Sequence, residues 1–492
     1  MWIMCTRPQG RPNCGNKRSG RESNRSRLEA TDVPGGESQG GHRFLLFGDN
    51  VHEAKEVMDK VCKYCLDEQG RTTQVTLAGC PALPVYAFEY KGASVTVECR
   101  GEYDNWQDLP QAVSDYVNTF DKPDVVLYDA RNQRMVAAAE FTETVSVGNS
   151  QWQRSGRAVA AAMMKVPFLA VYPSAAEDRS QDTIREPTAL LTEFFLILAL
   201  QDRTNPALLL LRDDPYLSSL NSERCKNRLP VIERPSGDDL VGKWFGLRLL
   251  SILDESVRQE LAPIEECIFD WMFRTLEDQV SVKTGAIARV ENDLPHWKAV
   301  LGYPMNIHQL RQHFLGDISL TKWTGVHGGV ASKSYFHQVV EPRLLQTTTN
   351  DIMTYVEGGK HCIIRPDHTQ KVEAELRELY PPHEEFPWPL GHLDQELPCA
   401  LIPFQGWQRQ GKTLSDPNCG EAVAFAAMFR TLQTEKANVV FIIYGTPHPK
   451  WLDQYKQSIR GEPTNKLMRT VRALGDVLCL DNSGTPVSIA VT

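Results

Sequence analysis

The chain has 492 residues, 41% of them hydrophobic and 23% charged, enough for two or three globular domains of roughly 100–200 residues each. That excludes a wholly disordered chain and a small disulfide-stapled scaffold. Against 62 acidic residues stand 53 basic ones, a net charge of −9, so any nucleic-acid contact must come from a local basic surface rather than a general positive coat.

Residues 1–41 are rich in Gly, Ser, Asn and Arg, and hold Arg7, Arg11, Lys17, Arg18, Arg21, Arg25 and Arg27. This composition predicts a flexible basic leader, with a DNA-binding arm as the alternative. Folded structure is expected from His42. Phe44 to Phe47 reads as a strand or a helix lead-in. Asp49 or Asn50 can cap a helix in which Val51, Ala54, Val57, Met58, Val61 and Cys65 recur at helical spacing. Val85–Tyr90 and Val95–Cys99 read as two strands joined by a hairpin through Lys91-Gly92. Asp124–Tyr128 and Met135–Phe141 are two more, the second small and apolar like a strand buried on both faces. A helix around Val159 and Met163 follows, then a buried strand, Val166–Tyr172.

Residues 185–290 read as mainly helical, for example Leu240–Leu253 and Ile264–Leu276, with a linker around Cys225–Asp239. The apolar run Ala189–Leu200 is too short for a membrane span, which needs ~20 apolar residues, and carries Glu193. A proline-dense zone, Arg365–Pro398, reads as a second linker. The rest reads as a small α/β unit: strand Cys399–Phe404, helix Glu421–Leu432, strand Val439–Tyr444, helix Asn465–Leu474, strand Val477–Leu480. The expected organisation is thus a leader (1–41), an α/β domain with a helical extension (42–235), a mainly helical or mixed region (236–395) and a C-terminal α/β unit (396–492). Trp152-Gln-Arg-Ser-Gly-Arg157 is echoed by Trp407-Gln-Arg-Gln-Gly-Lys412, through diverged duplication or by chance. Twelve cysteines are too sparse for a secreted disulfide framework. No uninterrupted hydrophobic region of signal-peptide type opens the chain. A cytoplasmic protein with mostly reduced thiols is expected.

Pro123-Asp124 sets an acid at the start of one strand, and Glu140 interrupts the otherwise apolar next one. A buried lone carboxylate is costly unless it is paired or binds a metal. If the strands are neighbours, Asp124 and Glu140 can share a hard divalent cation, Mg²⁺ or Mn²⁺. Gln153, Arg154 and Arg157 on the following helix could then face a phosphate. The alternative is that Asp124 caps a turn and Glu140–Glu143 is a solvated strand end. Asp129 is a second candidate for the first acid, and Glu89-Tyr90-Lys91 a rival acid–lysine pair.

The order of elements, with Pro123-Asp124, then Glu140-Phe141-Thr142, then Gly148-Asn149 and Gln153-Arg154, resembles the PD-(D/E)xK nuclease superfamily, to which most type II restriction endonucleases belong. The resemblance covers residues 42–175. It implies a restriction-endonuclease-like mixed β-sheet flanked by helices. It further implies a Mg²⁺-dependent endonuclease acting on double-stranded DNA, with Asp124 and Glu140 as metal ligands, assisted by Glu53 or Glu56. Thr142 stands where the family usually has Lys, and Glu143, Gln153, Arg154 and Lys165 are the nearby substitutes. A non-catalytic DNA-binding defence or repair subunit that keeps the fold is the alternative. A homodimer is expected because restriction sites are commonly palindromic.

Weaker motifs remain. Cys62 and Cys65 have zinc-like spacing but no second pair nearby, so core thiols are expected. His361, Cys362, His368, His383 and His392 are irregularly spaced. Gly328-Gly329 to Ser334 falls short of a phosphate loop. Lys322 and Lys333 are candidates for DNA-backbone contact.

Overall fold

The computed structural model describes residues 41–50, 52–67, 70–72, 74–103, 109–119, 122–142, 154–173, 176–178, 183–185, 189–212, 237–284, 338–339, 362–364, 366–409, 412–414, 426–427, 430, 437–445, 451–461, 466–480 and 486–491. The first part of the chain runs β1 (His42–Gly48), α1 (Glu53–Val61), a π-helical turn (Cys62–Asp67), β2 (Thr76–Cys80), β3 (Leu83–Tyr90), β4 (Ala93–Arg100), α2 (Gln111–Thr119), β5 (Val125–Asp129), β6 (Arg134–Phe141) and α3 (Ser155–Met163). It continues through β7 (Phe168–Pro173), the hairpin strands β8 (Ala176–Asp178) and β9 (Thr183–Arg185), α4 (Ala189–Gln201), β10 (Ala207–Arg212), α5 (Gly237–Leu250) and α6 (Arg258–Thr284).

Eight of these strands form one mixed sheet, in the order β10-β7-β6-β5-β1-β4-β3-β2. The β10/β7, β7/β6 and β1/β4 pairs are parallel, and the other four are antiparallel. The protein is therefore of mixed α/β class, with a large mixed sheet and helices packed on it. Strands β1, β5, β6, β7 and β10 are apolar along nearly their whole length because both faces are covered. Helix α5 lies directly on α1 and the π turn. A Cβ on Gly242 would strike the Lys60 carbonyl, and one on Gly246 would come within 2.5 Å of Cys65 Cβ and Sγ. Only glycine permits that approach. Helix α6 in turn packs on α4, α5 and β10.

The second part comprises β11 (Gln338–Val339), β12 (Cys362–Ile364), α7 (Thr369–Leu379), β13 (Cys399–Arg409), β14 (Lys412–Leu414), β15 (Asn438–Gly445), α8 (Trp451–Ile459), α9 (Lys466–Leu474), β16 (Val477–Leu480) and β17 (Val487–Ala490). Its sheet runs β11-β12-β13-β15-β16-β17, with β14 paired to β13. Side chains alternate across a strand, so Ala400, Ile402, Val439 and Phe441 join the core that covers the first sheet, while Leu401, Val440, Ile442 and Val477 face a separate cluster with Val372, Leu376 and Trp388. The succession β12-β13-β15-β16, antiparallel then parallel twice, repeats that of β5-β6-β7-β10.

Several expectations shift. The stretch read as mainly helical contains β10, whose Leu208–Leu211 run is a buried parallel strand. A continuous apolar run does not distinguish buried strand from buried helix. The proline-dense zone carries α7 and a packed loop rather than a linker. There Trp388 is fully buried and its Nε1 donates to Ser488 Oγ at 2.6 Å. Elements β2, α2, α8 and β17 add to those read from sequence. Among the described residues no helix is long and apolar enough to cross a membrane.

Candidate active site

The β5/β6 hairpin fixes which acids meet. Val125 pairs with Ala139 across the two antiparallel strands, which sets Asp124 beside Glu140 at one end. Asp129 lies at the other end. Its carboxylate accepts from Arg131 N (3.0 Å), Asn132 N (3.2 Å) and Asn132 Nδ2 (2.6 Å), so it shapes the turn. The first acid of the pair is therefore Asp124. The rival Glu89–Lys91 pair sits on the β3/β4 hairpin, where Glu89 is exposed and Lys91 pairs with Asp254.

Both acids are buried, and Glu140 is 0% exposed. Asp124 Oδ2 accepts from Phe141 N at 2.6 Å, a bond that ties the two strand ends together. Glu140 Oε1 accepts from Arg154 Nη1 at 2.6 Å and also pairs with Arg157. Its Oε2 is buried without a hydrogen-bond partner. Arg154 and Arg157 stand three residues apart where α3 begins, so both point to the same face. They also reach Asp124 at 4.0 and 3.9 Å. Arg154 donates to the Phe141 carbonyl at 2.7 Å. The Tyr116 hydroxyl of α2 donates to the Arg157 carbonyl at 2.9 Å and holds the start of α3 in place.

A third carboxylate comes from α1. Glu53 Oε2 accepts from Asp49 N and Asn50 N, both at 3.1 Å, while Asn50 Oδ1 accepts from His52 N and Glu53 N. These reciprocal bonds cap the helix and pin the Glu53 side chain to its mouth. Together Asp49, Glu53, Asp124, Thr142, Arg154 and Arg157 line a cleft of about 640 Å³, with Lys60 and Arg212 also on its wall.

The electrostatics follow from burial. Glu140 is pushed up to about 8, chiefly by loss of solvent and also by Asp124 beside it, against the opposing pull of Arg157 and Arg154. Burial also raises Asp124, countered by the Phe141 N–H and the two arginines. Glu53 is pushed up to about 7, first by burial and then by Asp124.

The candidates separate clearly. Asp124, Thr142, Arg154 and Glu53 line one cleft, and Glu140 is buried behind it against Arg154 and Arg157. Thr142 is buried there, with its N–H on the Val171 carbonyl at 3.0 Å, and it brings no charge. The cations beside the acids are Arg154 and Arg157. Lys165 is overturned as a substitute for the missing lysine, because it follows the far end of α3 and lines a different cavity. Cys65 is a core thiol and Cys62 is half-buried against the same core, and burial pushes them up to about 11 and about 12. Gln153, Glu143, Lys322, Lys333, His361 and the Gly328 loop lie outside the described residues. Tyr116 and Arg212 were not found in the sequence. Arg212 ends β10, parallel to β6 and β7, so recognition of that strand would have placed it on the same sheet end as Glu140.

Among the described residues no three His, Cys, Asp or Glu side chains converge as a metal site. Comparison of the chain with protein-family models, with curated proteins and with solved structures finds no match.

Proposed function

We infer that the chain is a Mg²⁺-dependent endonuclease of the PD-(D/E)xK kind, hydrolysing phosphodiester bonds in double-stranded DNA. The observation that carries this reading is the meeting of two buried carboxylates, Asp124 and Glu140, at adjoining strand ends, under two arginines that line an open cleft with Asp124. A divalent cation fits this donor set. Hard oxygens line it, Glu140 Oε2 is buried without a partner, and Mg²⁺ commonly takes one or two protein carboxylates and completes its shell with water and phosphate. Asp124 and Glu140 would hold the ion, which when bound supplies Lewis acidity toward the phosphodiester and lowers the pKa of water.

The protein's own groups do the rest. Arg154, about one-third exposed at the cleft, binds and orients the scissile phosphate and stabilises the charge that develops on it. Arg157, nearly buried, stays with the carboxylates and sets the spacing between them. Glu53, pushed up to about 7, exchanges a proton near neutral pH within the same cleft. Lys322 and Lys333 supply backbone contacts, and a homodimer matches palindromic sites.

The test is incubation of the full chain with a panel of plasmid DNAs, with Mg²⁺ or Mn²⁺ and then with EDTA, beside Glu140→Gln and Asp124→Asn. Discrete fragments that need the cation and both acids are expected. If every DNA stays intact with each ion while binding persists, the chain is instead a non-catalytic DNA-binding subunit.

A further inference from the structure

At the other end of the first sheet a second cavity, of about 600 Å³, opens among the starts of β6 and β7, the lead-in to β10, and the facing ends of α5 and α6. It lies roughly 20 Å along β6 from Glu140, at about 3.3 Å per strand residue. Arg134, Lys165, Arg203, Arg248 and Arg258 line it, against the carboxylate of Glu265.

The acids around these cations are already engaged. Glu265 Oε1 pairs with Arg248 and accepts from Trp244 Nε1 at 3.0 Å. Asp202 is held within its own loop by Thr204 N, Asn205 N and Asn205 Nδ2. Asp129 shapes its turn and meets Arg134 only at 4.0 Å, and Glu255 pairs with Arg258 in the open. Arg248 is itself buried. It donates to the Thr204 carbonyl at 3.1 Å, and its Nε has no partner. Burial lowers its pKa, against the pull of Glu265, and Arg258 nearby adds a second positive charge to the same wall. Arg203 lies over the Phe269 ring at 4.0 Å. The uncharged wall is made by half-buried Met135, Met164 and Ile252.

We propose that this cavity binds a phosphorylated small molecule of nucleotide size. Its phosphates are taken by the arginines, and its flat apolar part lies against Met135, Met164 and Ile252. The guanidinium fork matches phosphate oxygens in geometry and charge. The volume is that of a small-molecule site, and the combination of an apolar wall with a few convergent charges is the usual make-up of one. The proposal is independent of the nuclease reading.

The test is calorimetric titration of the full chain with ADP, inorganic pyrophosphate and adenosine. The variants are the double change Arg134→Glu and Arg258→Glu, at two half-exposed positions outside the core, and Arg154→Ala in the acid cleft. ADP is expected to bind more tightly than pyrophosphate, and adenosine at least about tenfold more weakly than ADP. The double variant should weaken ADP by about tenfold or more, while Arg154→Ala leaves it unchanged. Any of four results overturns the proposal: no binding of ADP at millimolar concentration, adenosine binding as well as ADP, loss of ADP binding in Arg154→Ala alone, or displacement of ADP by a short DNA duplex that shares the double variant's sensitivity. The last would make the surface a DNA-backbone contact.

Discussion

Replacing Glu140 by Gln should change how stability depends on pH, and by an amount that follows from its burial. The folded protein holds this carboxyl at about 8, against an ordinary 4.5. Between those values the folded state keeps a proton that the unfolded chain has released. The stabilisation is therefore complete below about 4.5 and is lost as pH rises through about 8, at about 1.4 kcal/mol per pH unit where the slope is steepest. Glutamine has no proton to lose, yet its amide oxygen still accepts from Arg154 and Arg157. The difference in unfolding free energy, Glu140→Gln minus wild type, should grow by about 2.5 kcal/mol between pH 5 and pH 7. Asp124 and Glu53 are raised as well and slope in the same direction in both proteins, so the difference reports Glu140 together with the change its loss imposes on Asp124. Urea unfolding of the full chain at half-unit pH steps measures it. If the two proteins keep a constant separation across that range, Glu140 is not the buried, proton-holding group described here.

Arg157→Met should destabilise the fold by about 3 kcal/mol, since it strips a buried carboxylate of a cation; the urea midpoint at pH 8 reads this. Arg154→Ala should slow DNA cleavage by about 10²-fold or more while affinity changes little, because its side chain reaches the open cleft; single-turnover cleavage beside a binding titration separates the two. Gly242→Ala should cost about 2 kcal/mol or more, because the new methyl meets the Lys60 carbonyl, and should lower Tm measurably. Deletion of residues 1–41 should leave Tm nearly unchanged, since the first sheet begins at His42; cleavage should persist with a shallower salt dependence.

The acid pair was legible because two signals coincide at it. A proline–acid step precedes one apolar strand, and a lone glutamate breaks the next, where Val136 to Ala139 are all buried. The helix bearing Arg154 and Arg157 was legible from its small apolar repeat. What holds that helix was not. Tyr116 lies on α2, whose buried positions Val113, Tyr116 and Val117 alternate with Ser114, Asp115 and Asn118 over barely two turns. Strand β2 is exposed throughout and so carries no alternation to detect. The loop after α7 reads as linker by its prolines. It is fixed instead by Ser488, about a hundred residues away in sequence, which no local pattern can announce. The second cavity was equally hidden, because its cations come from five separate segments of the chain.

Strand β1 comes first among the described elements, yet it sits in the middle of the eight-stranded sheet. Phe44 meets Val97 on β4 about fifty residues later and Asp129 on β5 about eighty-five residues later. At a synthesis rate of ~5–20 residues per second, both partners of this Phe-Leu-Leu-Phe segment reach it only several seconds after it has been made. During that interval it is an apolar strand with two unpaired edges, open to aggregation and to chaperones. Residues 42–129 are thus the span that must be synthesised before the centre of the sheet can close.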